Sequence, residues 1–200
     1  MVNVHRIEPL TRAEGPGIRC CVWMQGCSRH CQGCFATATW STHPRRLMSA
    51  DDIIRQATAH PEVEGITILG GEPFQQPEAL AELTAKASGC GLSTIAFTGY
   101  TYEELTAARN PSWDKALSHI DVLIDGPYIE AQRSFRRPLV GSDNQRFHFL
   151  TSRYRMDDFR RNTIEVRISP DGTARLNGMG DLRALQQRFL KTTTRKHQQQ

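Results

Sequence analysis

The chain has 200 residues, 38% of them hydrophobic, which suffices for one domain whose core needs no disulfide staples. Lys and Arg (25) outnumber Asp and Glu (21) by only four, an excess too slight to argue for nucleic acid. No apolar run approaches the roughly 20 residues of a membrane span, so no membrane-spanning helix is expected. The arginines gather in 133–137 and 153–161, and a solvated or partner-facing surface explains both clusters. The N-terminus lacks a signal-peptide pattern, and the expected compartment is the cytoplasm, where thiols stay reduced. Six cysteines in that setting point to metal binding or catalysis more than to disulfides.

In chain order, residues 18–25 are rich in strand formers and run into a cysteine-containing loop. Ser49-Ala-Asp-Asp52 opens a helix through about His60. Residues 65–69 read as a short buried strand ended by Gly70-Gly71, and Pro77 starts a helix that stops near Gly89. Residues 92–97 form the next strand, 102–108 a helix, and 120–124 another strand closed by Asp125-Gly126-Pro127. Late in the chain, 163–168 and 173–176 flank the turn Ser169-Pro-Asp-Gly172 and predict a hairpin. A last helix is expected over 181–190 and a disordered tail over 191–200, with 1–190 as a single domain. This alternation predicts an α/β fold with a mostly parallel sheet, whose active site lies in the loops after the strands. Four such loops, 26–35, 70–73, 98–100 and 125–128, each combine glycine with a reactive or polar residue.

Cys27, Cys31 and Cys34 form a C-x3-C-x2-C loop of three thiolates. That is one ligand short of a structural zinc site or a conventional iron–sulfur cluster, and the open coordination position suits chemistry on a bound molecule. In the Gly70-Gly71-Glu72-Pro73 loop, paired glycines let the backbone approach a ligand closely. Glu72 can accept from a cationic amine or merely cap the helix that follows. The bland alternative for the cysteines is a zinc knuckle completed by His30 or His43, although the spacing is unlike the usual C-x2-C pairs. Of Cys20 and Cys21 in their strand, one is expected to face the core. Cys90 reads as structural, Trp23, Met24 and Trp40 as packing residues, and Asp121 and Asp125 as turn or capping residues.

With Glu14-Gly-Pro-Gly-Ile-Arg19 before it and Gly70-Gly-Glu-Pro73 after it, the cysteine loop resembles the radical S-adenosylmethionine superfamily. Within it the chain is most similar to small activases of glycyl-radical enzymes, above all those of anaerobic (class III) ribonucleotide reductase. Thr98-Gly-Tyr-Thr101, Asp121-Val-Leu-Ile-Asp-Gly126 and Gly141-Ser-Asp-Asn-Gln-Arg146 add to the likeness, which spans roughly residues 14–150. Gly33 stands where the superfamily often has an aromatic residue, and an extension from about Arg153 exceeds the compact activases.

The resemblance implies a partial, open parallel β/α barrel and an oxidoreductase. Cys27, Cys31 and Cys34 would hold three irons of a 4Fe-4S cluster, and S-adenosylmethionine would chelate the fourth, with no catalytic residue beyond these ligands. Gly70, Gly71 and Glu72, with Pro73 beside them, would receive the methionyl amine, and Gly33 and Phe35 would line the adenine side. Tyr100 and Asp125 would be further pocket residues. Arg19 would face the cofactor carboxylate or pair within the fold. Implied partners are a glycyl-radical enzyme, foremost anaerobic ribonucleotide reductase, and a flavodoxin- or ferredoxin-type electron donor. Nucleic acid and membrane are not expected. Two other functions fit the residues: a radical enzyme acting on a small molecule or peptide, and a noncatalytic metal-binding interaction module.

Overall fold

A computed structural model describes residues 1–180. Its main sheet has seven strands: β1 (Val2–Thr11), β2 (Arg19–Met24), β3 (Leu47–Met48), β4 (Gly65–Gly70), β5 (Ser93–Phe97), β6 (Val122–Asp125) and β7 (Arg146–Phe149). Their order is β3-β1-β2-β4-β5-β6-β7. The pairs β2–β4, β4–β5 and β5–β6 are parallel, while β1, β3 and β7 join antiparallel at the two ends. The parallel centre was legible in the sequence and the antiparallel flanks were not. The predicted hairpin appears as β8 (Ile164–Ile168) paired with β9 (Ala174–Gly178), a separate two-stranded sheet. The expected helix over 181–190 and the tail lie outside the described residues.

Among the described residues, helices α1 (Ala50–Thr58), α2 (Pro77–Gly89) and α3 (Tyr102–Ala107) follow strands, and α4 (Pro111–Leu117) follows α3. α1, α3 and α4 each start where a side chain satisfies amides that a helix N-terminus leaves unpaired. The Ser49 hydroxyl accepts from Asp52 N–H at 3.1 Å. Thr101 and Glu104 form a capping box, and Asn110 accepts from Ser112 and Trp113 N–H. Proline occupies the first turn of α2 and α4, where no amide is needed.

Side chains alternate across the strands, so the sheet buries two different faces. Cys20, Val22 and Met24 of β2 join Ile66, Ile68, Ala96 and Leu123 in a core with Ile53, Leu80, Leu83 and Leu105 from the helices. On the other face Ile95, Val122 and Ile124 pack under Leu139, Val140 and Phe159. Cys21 is fully buried as well, so both members of the Cys20–Cys21 pair are interior, where one was expected. The same face carries Trp23 of β2 and Leu69 of β4, which pair in register and stand over the site.

Candidate functional site

A cavity of about 350 Å³ lies where the four parallel strands end. That volume falls within the roughly 300–1,000 Å³ range of small-molecule sites. Cys27, Cys31, Cys34, Phe35, Gly70, Gly71 and Glu72 all line it. The loops after β2, β4, β5 and β6 therefore open on one space, as the alternation of strands and helices required.

The cysteine loop is held from both sides. Gly26 N–H donates to Thr39 O at 2.7 Å and Cys27 N–H to Trp40 O at 3.1 Å, which close the loop onto its own exit. Ser28 N–H donates to Gln75 Oε1 at 2.9 Å, and Gln75 Nε2 donates to the Ser28 hydroxyl at 2.6 Å. All three thiols are free and partly exposed. Burial pushes the Cys27 thiol up, while the N–H groups of Arg29 and His30 pull it back. Among the described residues, no three His, Cys, Asp or Glu side chains are gathered as one tetrahedral ion would require. The two histidines considered as a fourth zinc ligand are engaged elsewhere: His30 stacks on Trp40 with ring centroids 4.6 Å apart, and His43 Nδ1 lies 3.3 Å from the Ser41 hydroxyl.

The Gly70–Pro73 loop is shaped by backbone packing. Gly71 N–H donates to Met24 O and Glu72 N–H to Gly26 O, each at 2.8 Å, so it is stitched to the chain entering the cysteine loop. A Cβ on Gly71 would stand 2.2 Å from Gly26 O, which is why only glycine fits. Glu72 is 1% exposed. Its carboxylate accepts from Phe74 N–H (3.1 Å), the Thr98 hydroxyl (2.8 Å) and Gly99 N–H (2.7 Å). Glu72 thus caps the short turn 73–75, as one sequence alternative held, and also ties the β4 loop to the β5 loop. Burial raises its pKa to about 6, against the pull of those three donors.

Other expected site residues stand elsewhere. Gly33, Pro73, Tyr100 and Asp125 are not among the lining residues. Gly33 has φ +76°, and a Cβ there would collide with the Glu130 carboxylate, so its glycine serves the loop's own turn. Tyr100 packs on Trp113 (centroids 5.3 Å) and carries the Arg29 guanidinium 4.6 Å above its ring. Asp125 accepts from Tyr102 N–H at 2.6 Å and from Arg146 at 2.6 and 3.1 Å. Burial pushes its pKa up, but Arg146, the Tyr102 amide and His148 outweigh it and hold the carboxylate below its usual range. Arg19 resolves the alternative left open: it is fully buried and donates to Thr67 Oγ1 (2.7 Å), Ser93 Oγ (3.0 Å), Ser93 O (3.1 Å), Ile66 O (2.5 Å) and Tyr154 Oη (3.2 Å). Its guanidinium donors are satisfied by neutral oxygens inside the fold.

Several lining residues escaped the sequence reading. Trp23 and Trp40, taken there as packing residues, both face the cavity, and Arg6 lies over the Trp23 ring at 3.8 Å. The signal for Trp23 is its period-two alternation with the core-facing Val22 and Met24. Glu14 also lines the cavity; burial raises its carboxyl to about 7, against Gly178 N–H and Arg6. Leu176, Asn177, Gly178, Met179 and Gly180, from the end of the hairpin, form the wall beside it.

This architecture, a mixed α/β fold with three thiols from one loop at the ends of its parallel strands, agrees with comparison to known proteins. Residues 13–148 match the 4Fe-4S single cluster domain family. The anaerobic ribonucleoside-triphosphate reductase-activating protein of Escherichia coli K12 is 30% identical over 157 residues, 74% of this chain and 99% of the relative. Its namesake in Vibrio cholerae is 31% identical over 158 residues, 75% and 99%. The pyruvate formate-lyase-activating enzyme of Staphylococcus epidermidis is 27% identical over 165 residues, 79% and 64%. The chain belongs to the 4Fe-4S single cluster domain family and to the group of activating proteins that these relatives represent.

Proposed function

We propose that the protein is a radical S-adenosylmethionine activase that installs a glycyl radical on a partner enzyme, anaerobic ribonucleotide reductase. The observation that carries this reading is the convergence of three thiols from one loop with Gly70, Gly71 and the buried Glu72 on one cavity. The donor set fits the group: a cluster gives each thiolate its own iron and needs only that all three face one space. Cys27, Cys31 and Cys34 would hold it, leaving one iron for the cofactor. A cluster held by these thiols would supply one-electron reduction to a bound S-adenosylmethionine, the radical chemistry needed to remove a hydrogen atom from a glycine Cα of the partner.

The chain's own residues hold and shield. The Gly70–Gly71 backbone comes close enough to offer its polar groups to the methionyl amine, and Glu72 fixes that backbone against Thr98 and Gly99. Phe35, Trp23, Leu69 and Phe97 supply apolar wall that excludes water. Gly33 turns the cysteine loop, Pro73 opens the short turn that Glu72 caps, and Tyr100 carries the cavity-lining Arg29. The finer fold reading is a partial β/α barrel formed by 1–190 as one domain, working in the cytoplasm with a flavodoxin- or ferredoxin-type donor.

The test is anaerobic reconstitution followed by counting of iron and sulfide, then electron paramagnetic resonance of the partner. About four of each per chain, with a glycyl doublet that requires both S-adenosylmethionine and reductant, is the expected result. Zinc without sulfide would overturn it.

A further inference from the structure

The family-matched segment ends at residue 148, and the β8–β9 hairpin lies wholly beyond it. Nothing in the activase reading uses this hairpin, yet its last residues form part of the cavity wall. It reaches there by a polar latch on β1. Glu165 accepts from the Thr11 hydroxyl at 2.6 Å and from Arg12 N–H at 2.8 Å. Arg167 donates to the Glu8 carboxylate and to Leu10 O. Asn177 Nδ2 donates to the Thr11 hydroxyl at 2.7 Å. At the cavity itself Gly178 N–H donates to Glu14 Oε1 at 3.0 Å.

Two of the four residues 177–180 that line the cavity are glycine. Gly178 has φ +103°, and a Cβ there would meet Thr163 O at 2.0 Å and Ala13 Cβ at 2.8 Å. The position therefore accepts only glycine. A glycine at the end of a strand, anchored by its amide to Glu14 and lining the same cavity as the three thiols, has the form the activase reading requires of the substrate. A partner glycine anchored at the Glu14 carboxylate would have to take the place of the Gly178 amide that holds it now.

We propose that Asn177–Gly180 is a built-in stand-in for the partner's glycine-bearing loop, held in the cavity by the hairpin latch and displaced when the partner docks. The inference rests on the activase reading above. A resident segment of this kind occupies the Glu14 carboxylate until the partner arrives. It also lowers the apparent affinity for the partner by the fraction of molecules whose site is free.

The test compares the full-length reconstituted protein with the latch variant Glu165→Ala/Arg167→Ala; neither side chain lines the cavity. The probe is the anaerobic ribonucleotide reductase proposed as partner. Amide hydrogen exchange over 174–180 reads the segment directly, with or without the cluster. In the wild type, protection there should fall when the partner is added. In the variant, exchange should rise about tenfold without partner. The partner concentration giving half-maximal glycyl radical should fall about tenfold, as when roughly a tenth of molecules are free in the wild type. The radical yield at saturating partner should not change.

Gly178→Val, which cannot occupy the observed position, provides a second way to expel the segment. If exchange rises in either variant while the partner dependence stays put, or if the saturating yield drops, the segment is a wall of the site and the inference is overturned. Unchanged partner dependence in both variants overturns it too, whatever exchange shows. If 5′-deoxyadenosine forms but no protein carries a glycyl radical in the wild type or in either variant, the activase reading fails, and this inference with it.

Discussion

Replacing Glu72 by alanine separates its two possible services, to the fold and to a ligand. In the folded protein its carboxylate is the partner of Phe74 N–H, the Thr98 hydroxyl and Gly99 N–H. Removing it strands two amides in a site where Glu72 itself is 1% exposed, while the Thr98 hydroxyl can rotate toward another acceptor. Each stranded buried donor costs about 1–3 kcal/mol. Relief from burying a carboxylate offsets part of this, since the group's pKa is already pushed up to about 6. The net expectation is a loss of about 3 kcal/mol, a large part of the ~5–15 kcal/mol that holds a domain together. Glu72→Gln retains an acceptor for Phe74 and Thr98 but turns a donor toward Gly99, and should lose about half as much. Urea denaturation of the metal-free protein measures both, with the midpoint falling at constant slope. If Glu72→Ala moved stability by less than about 0.5 kcal/mol yet abolished S-adenosylmethionine binding, the clamp between the β4 and β5 loops would be refuted and Glu72 would serve the ligand alone.

Alanine at any of Cys27, Cys31 or Cys34 should abolish both the cluster absorbance and 5′-deoxyadenosine formation, whereas Cys90→Ala, at an exposed helix end, should preserve both. Glu14 gives a pH signature: its folded carboxyl is raised from 4.5 to about 7, so the folded state keeps a proton that the unfolded state has lost. Stability from this group is full below about pH 4.5, declines as pH rises through about 7 and then stays level; Glu14→Gln should flatten that part of the curve in thermal scans across the window. Arg19→Met should cost about 3 kcal/mol in urea by stranding the Thr67, Ser93 and Ile66 acceptors, while leaving S-adenosylmethionine affinity in the folded fraction unchanged. Gly71→Ala should unfold the junction with Gly26, seen as failure to retain the cluster on a desalting column.

What the sequence revealed and what it hid follow one physical division. β4, β5 and β6 are short apolar runs ended by glycine, and a strand buried on both faces has to read that way, so the centre of the sheet was visible. β1 reads Val-Asn-Val-His-Arg-Ile-Glu-Pro-Leu-Thr, and its charges are explained only by distant partners: Arg6 by Trp23, and Glu8 by Arg167, 159 residues away. No local pattern encodes such pairings. The helix α4 did carry a signal in Asn110-Pro111, a cap followed by a first-turn proline, but its seven residues make too little periodicity to stand out.

The site divides the same way. Cysteine and glycine declare their roles by spacing, because ligand geometry and loop sterics are local demands, and those residues were legible. The protonation states of the acid–base groups were not, because they are set by what surrounds each carboxyl. Glu14 and Glu72 have the same side chain. One is anchored by a single amide from the hairpin and stays protonated to about pH 7; the other is held by three donors and sits near 6. That contrast makes Glu14 the more weakly committed of the two carboxyls. Its one backbone partner among the described residues, Gly178, belongs to a segment of the wall that lies outside the family-matched region. A carboxyl whose partner can leave is the part of this cavity best placed to receive another backbone amide in its stead. The four-loop framework around the thiols has no such freedom, since Gly71, Glu72 and Gln75 each bind across from one loop to the next.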